Sequence, residues 1–133
     1  MATVKISKGY KQLVAEANNQ VKTVTPAEAM RSVGDSGTIF VDLREIEELK
    51  RNGKVPGSVH TPRVMLEFYL DPESPYHKAE LVSGKNVIFY CASGGRSALA
   101  CRTAQEMGLT NAAHIEGGFK NWVENGGTVE KVE

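Results

Sequence analysis

A chain of 133 residues fits one domain and is long enough to bury a sizeable core. Lys plus Arg and Asp plus Glu balance at 16 each, so no net field points to nucleic acid or an anionic membrane as the main partner. Two cysteines and three histidines without metal-ligand spacing argue against a disulfide framework and a zinc site, and suit a reducing compartment.

The first eight residues contain no long apolar run and no later stretch approaches bilayer length, which makes the cytoplasm the expected location and excludes a membrane partner. Tyr10, Leu13, Val14 and Ala17 then recur at helical spacing, predicting an amphipathic helix over 9–19 that lies on the domain. Residues 1–20 thus read as a tail and helix, and 21–133 as the domain proper. A short β-type run at 21–24 precedes Thr25-Pro26-Ala27-Glu28, which supplies an N-cap, a proline at the first helical position and a capping-box glutamate for a helix to about Val33.

After the turn at Gly34-Asp35-Ser36-Gly37, Thr38-Ile39-Phe40-Val41 is apolar without alternation, as expected of a strand covered on both faces. Asp42 sits at its carboxyl end, where it is well placed to cap the short helix marked by Ile46 and Leu49. That helix stops at Asn52-Gly53, and Val55-Pro56-Gly57 turns the chain into a strand around Val59. Residues 64–70 allow one or two helical turns, and Asp71-Pro72-Glu73-Ser74-Pro75 is a surface loop.

The run Val87-Ile88-Phe89-Tyr90 reads as a buried strand that breaks at Cys91 into Ala92-Ser93-Gly94-Gly95-Arg96-Ser97. Good helix formers continue from Ser97 to Met107 and end at Gly108. A final strand at 112–115 and a helix at 119–124 complete the chain. Strands separated by helices imply an α/β domain with a mainly parallel central sheet and helices on both faces, with ligands bound beyond the carboxyl ends of the strands.

Cys91 stands at such an end, close to the free amides of a helix N-terminus, and Gly94-Gly95 lets those amides curl towards one centre. The helix dipole and Arg96 both favour a thiolate there, which makes Cys91 the candidate nucleophile. Ala92, Ser93, Gly94, Gly95, Arg96 and Ser97 form the candidate anion cradle; the two serines serve equally well as hydroxyl donors or as ordinary loop and cap residues. A bland strand-end cysteine is the competing reading for Cys91. Cys101 lies ten positions on, about 15 Å along a helix, too far to resolve a disulfide, and reads as core. Trp122 and Phe119 likewise read as packing residues.

The segment Cys91-Ala92-Ser93-Gly94-Gly95-Arg96-Ser97 resembles the active-site loop of the rhodanese family of sulfurtransferases in its single-domain form. Two flanking stretches agree: Val41-Asp42-Leu43-Arg44-Glu45 with Gly53-Lys54-Val55-Pro56-Gly57, where Lys54 replaces the family's usual histidine, and Ile115-Glu116-Gly117-Gly118-Phe119. The resemblance spans roughly 21–129 and implies a single rhodanese-like domain. It also implies sulfur transfer through a persulfide on Cys91, from a small anionic donor such as thiosulfate to cyanide or a thiol, with a sulfur-relay protein as a further partner and with neither metal nor organic cofactor required. It places Arg44 near the pocket, and Asp42 and Arg63 are further candidates for its rim.

Two other functions fit parts of the pattern. Cysteine phosphatases and arsenate reductases of related architecture also surround a thiolate with an arginine-bearing loop, but with five residues between cysteine and arginine where this chain has four. Rhodanese-like domains also occur as non-catalytic binding modules in which the cysteine is replaced, and Cys91 argues against that reading.

Overall fold

The computed structural model describes residues 2–133. Its frame is a sheet of five strands, β1 (Lys22–Val24), β2 (Thr38–Asp42), β3 (Val59–His60), β4 (Asn86–Tyr90) and β5 (Ala112–Ile115). They are ordered β1-β5-β4-β2-β3, and every pairing is parallel. Six α-helices join them: α1 (Tyr10–Gln20), α2 (Pro26–Met30), α3 (Ile46–Asn52), α4 (Leu66–Leu70), α5 (Gly95–Glu106) and α6 (Gly118–Glu124), with short 3₁₀ turns at Arg63–Met65 and Ala79–Val82.

The apolar runs without alternation become strands buried on both faces. Val41, Val87 and Phe89 pack with Leu66, Leu70, Ala100, Cys101 and Ala104 on one side of the sheet. Phe40, Ile88, Tyr90, Ala113 and Ile115 pack with Ala29, Phe119 and Trp122 on the other. Each fully buried large apolar side chain of this kind contributes roughly 1.5–3 kcal/mol of transfer free energy. This is an α/β domain with a parallel sheet covered by helices, as its strand and helix alternation predicts.

Several local expectations need adjustment. Thr25, Pro26 and Glu28 form the expected capping box, but the α-helix ends at Met30, where tighter i→i−3 bonds from the N–H groups of Arg31, Ser32 and Val33 carry the chain to a left-handed Gly34. Tyr10 of α1 is 71% exposed, so the face that α1 lays against α5 is centred on Ala17, with Leu13 and Val14 half-buried. Helix α5 begins at Gly95, two residues before the expected start, since the cradle residues themselves make its first turn.

Asp42 does not cap α3. Glu45 occupies the N-cap position, and its N–H donates to the Glu48 carboxylate at 2.8 Å. Among the described residues no helix is long and apolar enough to cross a membrane. Nor does any group of three or more His, Cys, Asp or Glu among them stand together to hold a metal.

Candidate active site

The register that pairs Asp42 with Tyr90 brings the carboxyl ends of the two central strands, β2 and β4, level with each other. Cys91 follows directly and has no exposed surface. Its Sγ receives the Gly94 N–H at 3.1 Å and the Ser97 N–H at 3.3 Å, and lies 3.6 Å from Ser97 Oγ. Gly94 enables this convergence: its φ of 104° turns the chain sharply into α5, a conformation that a side chain would strain. Two amide hydrogens thus converge on one sulfur at the positive end of a twelve-residue helix.

Helix α6 fixes the loop from the other side. The Phe119 and Lys120 N–H groups donate to the carbonyls of Cys91 and Ala92 at 2.8 and 3.1 Å. Those carbonyls are thereby turned away from the cradle. Gly118 makes the approach possible, because a Cβ on it would lie 2.6 Å from the Cys91 carbonyl oxygen and 2.7 Å from two Ala92 backbone atoms.

Arg96 is not left free beside the sulfur. Its two terminal nitrogens each donate to the Glu48 carboxylate of α3 at 2.9 Å. The Arg96 hydrogen bonds hold the Glu48 carboxyl down to about 2, and Glu48 raises the Arg96 guanidinium in return, with a smaller contribution from the charge of Cys91.

Asp42 and Arg44 are buried; Arg44 lines the cavity beside Ala92 and Ser93, and Asp42 is bonded to it. The Asp42 carboxylate accepts from Arg44 Nε at 3.0 Å, a terminal Arg44 nitrogen at 2.7 Å, the Arg44 N–H at 3.0 Å and the Tyr90 hydroxyl at 2.7 Å. Arg44 also donates to the Gly53 carbonyl at 2.7 Å and lies 4.3 Å from the Phe119 ring centroid. Burial works against the Arg44 charge, and the bond and charge of Asp42 outweigh it, so the guanidinium is shifted upward. Burial, reinforced by the charge of Asp42, pushes the Tyr90 phenol well up. This buried pair is tied to Tyr90 and Gly53 and lies against Phe119, with Arg44 bordering the cavity beside the loop. Arg63 pairs with Glu67 of α4 at 2.9 Å and is half-buried.

The two serines part company. Ser93 is exposed and Ser97 is buried. Ser97 Oγ lies 2.9 Å from His114 Nδ1 on β5, and His114 Nε2 lies 2.8 Å from Asn18 Oδ1 on α1 and 3.2 Å from Thr23 Oγ1 on β1. Burial pushes the His114 imidazole down to about 4, so it is neutral at physiological pH. Sequence reasoning missed His114 and Glu48. The one polar residue in the apolar strand Ala112-Ala113-His114-Ile115 was a signal for His114, since a buried polar group must find partners.

Cys101 lies in the core with no exposed surface, and burial alone pushes its thiol up to about 12. Two cavities border the loop. One of about 560 Å³ is lined by Arg44, Ala92, Ser93, Phe119 and Lys120 among others. The second, of about 390 Å³ between α1 and the loop, is lined by Val14, Asn18, Gly94, His114 and Glu116 among others.

The fold is a parallel α/β sheet that delivers a cysteine from its central strand to two converging backbone amides at a helix N-terminus. Residues 25–125 match the rhodanese-like domain, and the chain belongs to the rhodanese-like family. It is 30% identical over 117 residues to thiosulfate sulfurtransferase/rhodanese-like domain-containing protein 3 of Mus musculus, covering 84% of this chain and 74% of that protein. Thiosulfate:glutathione sulfurtransferase of Saccharomyces cerevisiae is 34% identical over 98 residues, 70% of each chain. Among solved structures, a protein of unknown function from Rhodopseudomonas palustris, described as a possible tyrosine phosphatase, superposes with a TM-score of 0.93 at 46% identity over 98% of this chain and 100% of that one.

Proposed function

We propose that the protein is a sulfurtransferase that carries a sulfane sulfur on Cys91. The thiolate attacks the outer sulfur of a donor such as thiosulfate; a sulfur–sulfur bond forms to Cys91, the donor's own sulfur–sulfur bond breaks, and sulfite departs with its electron pair. A thiol or cyanide then takes the outer sulfur of the persulfide and returns Cys91 as thiolate. The observation that carries this reading is the pair of amides, Gly94 and Ser97, converging on one sulfur atom, a cradle suited to a thiolate and to a persulfide anion. The sulfurtransferase names borne by relatives at 30% and 34% identity support it.

In this reading Ala92 to Ser97 enclose the donor, Lys120 and Arg44 bring positive charge to the cavity beside the loop, and Asp42 holds Arg44 in place, while Arg63 is engaged by Glu67. A protein acceptor in a sulfur relay is a further partner, and the working thiol calls for a reducing compartment, which we take to be the cytoplasm.

The phosphatase alternative draws on the description attached to the Rhodopseudomonas palustris structure. Against it stands the loop itself, in which four residues separate Cys91 from Arg96 and Arg96 is held by Glu48. A transferring phosphoryl group needs donors for three equatorial oxygens. The test is incubation with thiosulfate followed by intact-mass measurement and peptide mapping, with Cys91→Ser as blank and aryl phosphate hydrolysis measured in parallel. A gain of one sulfur on Cys91 and thiocyanate formed from cyanide are expected. Cys91-dependent phosphate release without sulfur uptake would overturn the reading.

A further inference from the structure

The contacts behind the loop form one continuous chain, Cys91–Ser97–His114–Asn18, that runs from the sulfur through α5 and β5 to helix α1. The direction of each bond follows from its members. Asn18 Oδ1 can only accept, so His114 Nε2 carries the hydrogen and gives it to Asn18, with Thr23 Oγ1 beside the same nitrogen. A neutral imidazole with hydrogen on Nε2 has a bare Nδ1, which accepts. Ser97 has a single hydroxyl hydrogen, and its acceptors are His114 Nδ1 at 2.9 Å and the Gly94 carbonyl at 3.3 Å; its oxygen accepts from the Cys91 thiol at 3.6 Å, and a thiolate at that place would compete for the hydrogen as a third acceptor.

We propose that His114 is a positioning residue for Cys91: it draws the Ser97 hydroxyl hydrogen onto its Nδ1, so that Ser97 presents its oxygen, and not its hydrogen, to the Cys91 sulfur. The sulfur is then served by two backbone donors where three are within reach. Each further donor stabilises a thiolate and lowers its nucleophilicity. Asn18, and through it α1, thereby enters the control of a thiol that α1 does not touch.

No other ionisable group completes this chain. The imidazole meets Asn18 from α1, Thr23 from β1 and Ser97 from α5, none of which titrates, while Glu116 lines the adjoining cavity. Further charges around the loop are Arg96 with Glu48 and Glu45, Arg44 with Asp42, and Lys120 and Glu124 at the other cavity. None of them bonds Cys91 Sγ among the described residues.

The inference rests on reading Cys91 as the reactive thiol, but its tests need no sulfur donor. A failure of sulfur uptake and a failure of this device are therefore separable. In the wild-type protein, long-range ¹H–¹⁵N correlation of the His114 ring should show hydrogen on Nε2 and a bare, hydrogen-bonded Nδ1. Hydrogen on Nδ1 would overturn the proposal, and this measurement stands even if a variant fails to fold.

Thiolate absorbance is then followed against pH, with Cys101 silent because its thiol lies at about 12. In His114→Phe the freed Ser97 hydroxyl turns to the sulfur, and the absorbance midpoint should fall by about one pH unit. His114→Asn, which restores an acceptor near the Nδ1 position, should keep the wild-type midpoint. In a Ser97→Ala background, His114→Phe should shift nothing further. An unchanged midpoint in His114→Phe, with the hydroxyl turned to the Gly94 carbonyl, would refute the proposal. So would a shift that persists without Ser97.

Discussion

Arg96 and Glu48 grip each other through two hydrogen bonds of 2.9 Å, from helices α5 and α3 that are 48 positions apart in sequence. The guanidinium next to the candidate nucleophile is therefore already engaged, and an anionic donor must share it. Glu48→Gln keeps an acceptor for the Glu45 N–H but releases the charge of Arg96. We expect its KM for thiosulfate to drop by about two- to fivefold, the scale of a partly exposed ion pair. An unchanged or higher KM in steady-state thiosulfate:cyanide assays would show that Arg96 does not address the donor.

The same pair sets an acid limit on stability. Glu48 titrates at about 2 in the fold against a reference value of 4.5, so the unfolded chain binds the extra proton between these values. The pair's contribution is complete above about 4.5 and is lost as pH falls towards 2. Solvent screening at the Arg96 side chain, 40% exposed, reduces that contribution to about 1 kcal/mol. Urea midpoints of wild type and Glu48→Gln should differ at neutral pH and converge near pH 2; a constant difference would place the stability elsewhere.

His114 acts in the opposite charge sense and in a higher window. It is neutral in the fold down to about 4, against a reference value of 6.5, so the unfolded chain takes up a proton first as pH falls. Stability is unaffected above 6.5 and declines between 6.5 and 4, by up to about 3 kcal/mol. Denaturation profiles should show this slope in wild type and not in His114→Asn. A slope shared by both would assign it to other groups.

Asp42 separates two structural roles by size of effect. Loss of a helix cap costs about 1 kcal/mol, whereas leaving a buried partner charge unpaired costs about 3–5 kcal/mol. With Arg44 buried and Tyr90 bonded to the same carboxylate, Asp42→Ala should fall in the larger range by equilibrium unfolding. A loss near 1 kcal/mol would restore the capping role.

Gly118→Ala should damage the loop without touching a reacting group. Its left-handed φ of 66° and the 2.6 Å approach to the Cys91 carbonyl put strain and collision together, and we expect at least about 2 kcal/mol of destabilisation. Cys101→Ala, a change confined to the core, should retain sulfur transfer. Comparing both by thermal unfolding and by sulfur uptake checks the pair; wild-type stability in Gly118→Ala would contradict the close approach.

The α/β alternation, the buried strands and the Cys91 loop were legible because each is written in neighbouring residues: an apolar run, a cysteine, two glycines, a helix. The Thr25 cap was legible for the same reason. What the sequence could not disclose are partners that meet only through strand order. Asp42 looked like a cap because the Tyr90 hydroxyl that helps to claim it stands 48 positions away, and Arg96 was assigned to the cradle alone because Glu48 arrives from another helix. His114 gave a faint local sign, a polar side chain inside an apolar strand, but Asn18, which fixes its ring, is 96 positions distant.

The place of β1 at one edge of the sheet, beside β5 and nowhere near β2, bears on how the molecule is made. A ribosome releases β1 and α1 first, yet the strand that β1 must pair with and the imidazole that Asn18 must meet are both about 90 residues downstream. The β2–β4 centre and the Cys91 loop can assemble while the leading segment waits unpaired. Emergence in chain order makes the Cys91 loop available before His114, so the β1–β5 pairing and the Asn18–His114 bond can close only after Cys91 has left the ribosome.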